Sequence, residues 1–347
     1  MDLDALHDRA RALLPPGVYD YYAGGAEAEV TLREAPDAWQ RWRLRPRMLR
    51  DVSDLTTATT LLGTPVDMPI GVAPWALQGM AHPDREAGTA RGAAAAGTLM
   101  TVSTTSTMTL ADVAAVSPAP KWFQLYRVNS PAYTDELVRR AAEAGYRALV
   151  VTADLPYLGR RLRDVVNDFV LPEGIWPANH PPQDAARGRT LGSAVGEMPT
   201  WTFDDITRFA GVGGLPVVVK GILRGDDARR CVDAGASAVW VSTHGGRQVD
   251  PAIASAAALP EVAAAVGDDA EVYVDGGVRR ASDVLTALAL GARAVFLGRP
   301  IIWGLATGGA DGVRDVLQGL STALRLTMAL CGVTDVKDVP TDLLTPA

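Results

Sequence analysis

From about residue 66 onward the chain repeats one unit: a short apolar run, a polar or glycine-bearing turn, then an alanine-rich stretch with helical character. Eight such runs occur, at Pro69 to Ala73, Thr98 to Val102, Trp122 to Leu125, Ala148 to Val151, Pro216 to Val219, Ala238 to Val241, Glu271 to Val274, and Ala294 to Leu297. Strands that alternate with helices must pair in parallel, because each helix carries the chain back to the same end of the sheet. Strands that are apolar throughout are buried on both faces. Gly97, Gly145, Gly235 and Gly291 stand just before the second, fourth, sixth and eighth runs, where a helix has to stop. Eight units of this kind predict an α/β fold, a closed (β/α)₈ barrel, over residues 66–335. A chain of 347 residues that is 48% hydrophobic can fill such a core.

Ahead of the barrel, residues 1–65 predict a helical segment and an entry loop within the same single domain. Leu3, Leu6, Ala10 and Leu13 share one stripe of a helix over 2–14, which Pro15-Pro16 ends. A short helical piece carries Tyr19, Tyr21 and Tyr22 up to Gly24-Gly25, and a third helix runs to about Trp39. Arg45-Pro46-Arg47 then leads into a loop. The one irregular spacing lies between the fourth and fifth runs, where a long loop covers 160–200. Its stretch Asp164 to Thr200 is rich in Gly and Pro and has no clean period. Such a loop reads either as a lid or as an untidy insertion.

Charge and cysteine usage narrow the function. The net charge of −7 and pI near 5.2 leave no basic footprint for nucleic acid. Cys231 and Cys331 lie far apart with no metal-spaced partner, which points to a reducing, cytoplasmic setting without disulfides. The N-terminus has no leader pattern, and no apolar run has membrane-span length. No cluster of His, Cys or carboxylates has metal-ligand spacing.

Barrel active sites lie where the strands end, so the residues just after each run carry the chemistry. In order they are Pro74-Trp75-Ala76, Ser103-Thr104-Thr105, Gln124 and Tyr126, Thr152 and Asp154, Lys220-Gly221, Ser242-Thr243-His244-Gly245-Gly246-Arg247, Asp275-Gly276-Gly277 with Arg279, and Gly298-Arg299-Pro300. Glycine turns with Arg279 and Arg299 on adjacent strands suit a phosphate, held by backbone N–H groups and bidentate guanidinium bonds. The alternative is two helix-capping turns with surface arginines. Lys220, at the end of a buried strand, reads as a Schiff-base nucleophile, a charge stabiliser or a snorkelling side chain. His244 between small residues, with Arg247 on its loop and Asp154 to orient it, reads as a base; the alternative is a structural histidine. His7, His82 and His180 have no such company.

The run Ser242 to Asp250 resembles the signature of the FMN-dependent 2-hydroxy acid oxidases and dehydrogenases, a family that includes glycolate oxidase, lactate oxidase and mandelate dehydrogenase. The resemblance extends over nearly the whole chain, through Tyr21 to Ala26, Arg45-Pro46-Arg47, Ala81-His82-Pro83, Phe123 to Tyr126, Leu158 to Arg161, Val219 to Gly221, Asp275 to Arg279, and Gly298 to Pro300. It implies that His244 takes the substrate proton with Asp154 paired to it, that Arg247, Arg161 and Tyr21 hold the substrate carboxylate, and that Tyr126 lies against the hydroxyl. It implies that Lys220 sits where negative charge develops on the flavin. Ser103, Gln124, Thr152, Ser242 and the Ala76 backbone would contact the isoalloxazine. Asp275 and Gly277 would lie along the ribityl chain, and Arg279, Gly298 and Arg299 at the phosphate.

The activity so implied is oxidation of an L- or D-2-hydroxy acid to the 2-oxo acid, by hydride transfer or through a carbanion. The acceptor is O₂, or alternatively a soluble carrier in a dehydrogenase. The family also implies a homotetramer. The sequence departs from the family at Thr243, where Asn is usual, at Trp75, often Thr, and at Thr105, Trp in glycolate-type members. A small Thr105 with a bulky Trp75 predicts a substrate side chain larger than that of glycolate, aromatic as in mandelate. The rival readings are another flavin barrel, such as type 2 isopentenyl diphosphate isomerase or an IMP-dehydrogenase relative, a Lys220 Schiff-base lyase, and a non-catalytic flavin-binding protein.

Overall fold

The computed structural model describes residues 2–128, 130–181 and 201–347. Eight parallel strands form a closed barrel: β1 (Ile70–Val72), β2 (Met100–Ser103), β3 (Lys121–Leu125), β4 (Leu149–Thr152), β5 (Val217–Ile222), β6 (Ala238–Val241), β7 (Glu271–Asp275) and β8 (Ala294–Leu297). Each pairs with the next, and β8 returns to β1 through Val295↔Ile70, Phe296↔Gly71 and Leu297↔Val72. The expected runs for β6 and β8 match to the residue; the others are displaced by a few residues at their ends. Gly97, Gly145, Gly235 and Gly291 all have positive φ, between 73° and 101°, as helix stops require.

Alternate strand residues point into the barrel, and at its lower end they are large and aromatic. Trp122, Trp240 and Tyr273 are fully buried there, and Phe296 joins them from the level of the strand ends. The Trp240 and Phe296 rings stand 4.0 Å apart and those of Trp122 and Tyr273 5.3 Å. Gly71 makes room for this packing, since a Cβ on it would lie 2.4 Å from the Phe296 ring. A hairpin absent from the sequence reading, Thr59–Leu61 with Thr64–Val66, closes the lower opening with Leu61 and Val66. Burial of each such ring contributes about 1.5–3 kcal/mol. The opposite strand faces, including Val72, Val102, Leu149 and Val219, pack against the surrounding helices in a second, larger core.

Three N-terminal helices form where the spacing places them: α1 (Leu3–Leu13), α2 (Pro16–Ala23) and α3 (Val30–Trp39). Asp2 caps α1 by accepting from the Asp4 and Ala5 N–H groups; of the expected stripe Leu6 and Ala10 are buried and Leu3 half-buried, whereas Leu13, at the end of the helix, is exposed. Proline at the first turn starts α2, which buries Tyr21 and Tyr22. The Tyr22 hydroxyl donates to the Leu77 carbonyl at 2.6 Å, and the Trp39 indole to that of Gly276 at 2.8 Å. The segment is therefore bonded to the loops after β1 and β7. Two further features were not legible in advance. Trp42–Leu44 pairs antiparallel with Leu344–Pro346, and the long helix Arg299–Cys331 is kinked at Gly308-Gly309.

The long loop after β4 begins with a short helix, Leu162–Val166. Phe169 then stacks on Tyr21, with ring centroids 5.3 Å apart. Residues 182–200 of the proposed lid lie outside the described residues. Among the described residues no helix is long and apolar enough to cross a membrane.

Candidate active site

The strands end at an open cavity whose empty space, its opening to solvent included, is about 1060 Å³. His244 faces it from the loop after β6. Its φ is +56°, a left-handed conformation unusual for a residue with a side chain, and it begins a turn continued by Gly245 and Gly246. The His244 N–H donates to Ser242 Oγ at 3.0 Å, which fixes that turn. Asp154, from the loop after β4, approaches His244 Nδ1 to 2.9 Å. Burial alone would raise the Asp154 pKa. The charge and hydrogen bond of His244, with Lys220 beyond, outweigh it and hold the carboxyl below its ordinary range.

An ionised carboxylate can only accept, so the proton sits on His244 Nδ1 and leaves Nε2 as an acceptor. Burial pushes the His244 pKa below its ordinary value, although Asp154 opposes this; the imidazole is neutral at neutral pH. Tyr126 Oη is 3.2 Å from Nε2, and its own pKa is raised by burial and then by Asp154, so it stays a donor. Gly221 is required beside this pair. Its φ is +103°, a Cβ there would lie 2.5 Å from the Asp154 carboxyl carbon, and the β5–β6 register shifts between Lys220 and Ile222.

Positive charge dominates the rest of the wall. Arg247, beside Tyr21, donates to the Tyr21 and Gly24 carbonyls at 2.6 and 2.9 Å. Burial, then repulsion by Arg161, pulls its pKa down to about 10. Arg299 donates to the carbonyls of Tyr22, Gly245 and Gly24 at 2.9–3.1 Å. Burial, then Arg247 and Arg279, lower its pKa well below the ordinary value. Arg279 bonds the Val278 carbonyl and is lowered by burial against the opposing pull of Asp283 and Asp4. Among the described residues no ion pair joins Arg161, Arg247, Arg279 or Arg299 to a carboxylate. Buried cations without anions are costly, and a bound anion would relieve them. Trp75 lies between the two ends of this wall, 5.7 Å from the Arg247 guanidinium and 5.8 Å from that of Arg299.

Lys220 is the exception. Its Nζ donates to Ser242 Oγ at 2.7 Å and lies 3.2 Å from Asp275, and Ser242 donates to Asp275 at 2.7 Å. A lysine matched in charge and bonded in this way is a poor Schiff-base nucleophile and a suitable fixed donor. On the far side, Ser103 Oγ donates to Gln124 Oε1 and Gln124 Nε2 to Thr152 Oγ1, each at 3.0 Å.

The cavity wall unites Tyr21, Ala76, Ser103, Tyr126, Thr152, Arg161, Lys220, His244, Arg247, Asp275, Gly277, Arg279, Gly298 and Arg299. Gln124, Asp154 and Ser242 stand one layer behind, each bonded to a residue that does face it. Leu155 and Leu158 also line the cavity and were not singled out in advance. Their signal was position: one and four residues past Asp154 on the same loop. Thr105 is buried at the wall, 3.4 Å from His180 Nε2, and the Thr243 hydroxyl has no hydrogen-bond partner among the described residues. Among those residues no group of His, Cys or carboxylates could hold a metal ion.

The sequence profile of the FMN-dependent dehydrogenases matches residues 10–346. An L-lactate oxidase of Nostoc sp. is 47% identical over 96% of this chain and 95% of its own length. A 4-hydroxymandelate oxidase of Amycolatopsis orientalis is 44% identical over 97% and 96%. A crystal structure of mandelate oxidase superposes with a TM-score of 0.92 at 42% identity, covering 99% of this chain and 98% of that one.

Proposed function

This chain belongs to the family of FMN-dependent dehydrogenases, binds FMN and oxidises a 2-hydroxy acid, and we propose that its substrate carries an aromatic side chain and that O₂ is its electron acceptor. The residues present fit the cofactor. The excess of guanidinium charge at buried Arg299 and half-buried Arg279 suits a phosphate. Lys220, held by Ser242 and Asp275, suits an electron-rich ring edge, and Ser103, Thr152 and the Ala76 backbone line the opposite edge. Gln124 and Ser242 serve by fixing these donors. Asp275 and Gly277 would flank the ribityl chain, and Gly298 the phosphate. When bound, FMN supplies the acceptor for the two electrons that leave the substrate.

One observation carries the catalytic reading: His244 Nε2 is an acceptor that faces the cavity with the Tyr126 hydroxyl on it, in the same wall as Arg161 and Arg247. The two guanidiniums, with the Tyr21 hydroxyl, grip the substrate carboxylate. That grip sets the 2-hydroxyl against Tyr126 and His244. His244 takes the substrate proton at Nε2, and Asp154 stabilises the imidazolium that forms. Leu155, Leu158 and the small Thr105 leave an apolar volume for the side chain, which favours an aromatic acid over glycolate. The relatives named as oxidases support O₂ as acceptor. Exposed Val165, Val166, Val249 and Ile253 support burial between subunits of a homotetramer, and two buried free cysteines are in keeping with the cytoplasm.

The test is a substrate panel on FMN-loaded protein under air, with peroxide measured alongside. Mandelate is expected to exceed glycolate in kcat/KM by at least tenfold, with one peroxide formed per turnover. Glycolate the faster by tenfold removes the aromatic reading, and turnover that needs an added carrier removes O₂.

A further inference from the structure

Gln248 follows Arg247 directly and is not part of the cavity wall, yet its side chain makes three hydrogen bonds to one stretch of the loop after β4. Its Nε2 donates to the carbonyls of Asp154 at 2.7 Å and Tyr157 at 2.9 Å, and its Oε1 accepts from the Gly159 N–H at 3.1 Å. The approach of the two loops requires Gly159, where a Cβ would lie 2.3 Å from the Arg247 carbonyl oxygen and 2.8 Å from Gln248 Cα. The loops are not equally anchored. On the Gln248 side the Gly246 carbonyl accepts from Ala26 at 2.8 Å, and the Asp250 carboxylate accepts from the N–H groups of Val30 and Thr31 at 3.1 and 2.7 Å. On the other side the Ala153 N–H is bonded to Lys220 and the Arg160 carbonyl to Glu27, and between them no backbone-to-backbone hydrogen bond is made among the described residues. Polar backbone in such a stretch needs partners, and one amide side chain, with two donors and an acceptor, supplies three.

Asp154 is thereby held at both of its ends by the loop after β6. Its carbonyl is bonded to Gln248, and its carboxylate to His244 Nδ1 at 2.9 Å. We propose that Gln248 is a positioning residue: by donating to the Asp154 and Tyr157 carbonyls it keeps the Asp154 carboxylate at hydrogen-bond distance from His244, and so keeps the base oriented. The inference rests on the reading that His244 takes the substrate proton. Gln248 touches no reacting atom and moves no proton; its effect passes through Asp154. A carboxylate of the same shape does not replace it, because it sets acceptors against two carbonyls.

The test follows anaerobic flavin reduction by saturating racemic mandelate and racemic lactate at pH 8 in the FMN-loaded protein, with melting temperature measured alongside. Gln248→Met keeps the length of the side chain without its donors, and Gln248→Glu keeps its shape with acceptors alone. Each is expected to slow reduction about tenfold or more, as a misplaced catalytic group does. In an Asp154→Asn background the same two changes are expected to cost less than about twofold, because the charge they position is gone. A purely structural role slows reduction equally in both backgrounds, and that result overturns the proposal. Reduction by Gln248→Met and Gln248→Glu as fast as by wild type, with His244→Asn and Asp154→Asn both slow, overturns the role of Gln248 alone. His244→Asn as fast as wild type overturns the reading of the base beneath it. If Gln248→Met does not fold, Gln248→Glu decides by the same measure in both backgrounds.

Discussion

The two ends of the barrel are made by the same eight strands and obey different rules. At the lower end Trp122, Trp240 and Tyr273 fill the interior, and the hairpin's Leu61 and Val66 close it, while Phe296 packs on these rings and also lines the cavity above. At the mouth the same strands end in Lys220, Asp275, His244, Arg279 and Arg299. The boundary falls within one register pair, since Lys220 of β5 stands opposite Trp240 of β6 with its Nζ 5.5 Å from the indole ring. Both ends hold polar atoms without partners among the described residues, but of different kinds. Below they are neutral donors, the indole nitrogens of Trp122 and Trp240. Above they include atoms of charged groups, Asp154, Arg161 and Asp164, beside the neutral Thr243 hydroxyl. The lower end is built to be full, and its packing supports a mouth whose charges are arranged for ligands rather than for each other.

The comparison predicts that substitutions at the two ends separate cleanly. His244→Asn is expected to lower kcat by about 10²–10⁴-fold, as loss of a general base does. Because Asn tolerates the left-handed backbone, melting should be unchanged or slightly later. A large drop in melting temperature would mean that the histidine also holds the fold. Trp122→Ala should do the converse, with about 3–5 kcal/mol of stability lost to the cavity and kcat of the folded protein little changed. Denaturant unfolding set beside single-turnover rates checks this, and a kcat loss matching the stability loss would break the comparison.

The smallest effect sharpens the account of the mouth itself. His244 must be neutral to accept a proton, so kcat/KM falls as pH drops through its pKa, below the ordinary 6.5. Asp154 raises that pKa, both by charge and by hydrogen bond. Asp154→Asn should therefore move the acid limb of the pH profile to lower pH while the plateau falls. A limb that stays in place would detach Asp154 from the base.

What the sequence made legible follows the same division. Continuous apolar runs announced the strands, and the residues just past them announced the mouth, because both signals are local. The hairpin Thr59–Val66 escaped because each arm is only three residues long and its function depends on barrel residues far along the chain. The depth of a side chain also escaped. Gln124, Asp154 and Ser242 look like wall residues in sequence, yet each stands one layer back, bonded to a residue that faces the cavity.

The antiparallel pairing of Trp42–Leu44 with Leu344–Pro346 has a consequence in time. Contacts between opposite ends of a sequence are slow to form, because the whole intervening chain must be ordered or looped out first. The segment so fastened includes Tyr21, Tyr22 and Trp39, which reach over the mouth. During synthesis the barrel strands emerge after this segment and the closing strand emerges later still. Tyr21, which lines the cavity, is thus translated ahead of every barrel strand, and the strand that pairs with Trp42–Leu44 after them all.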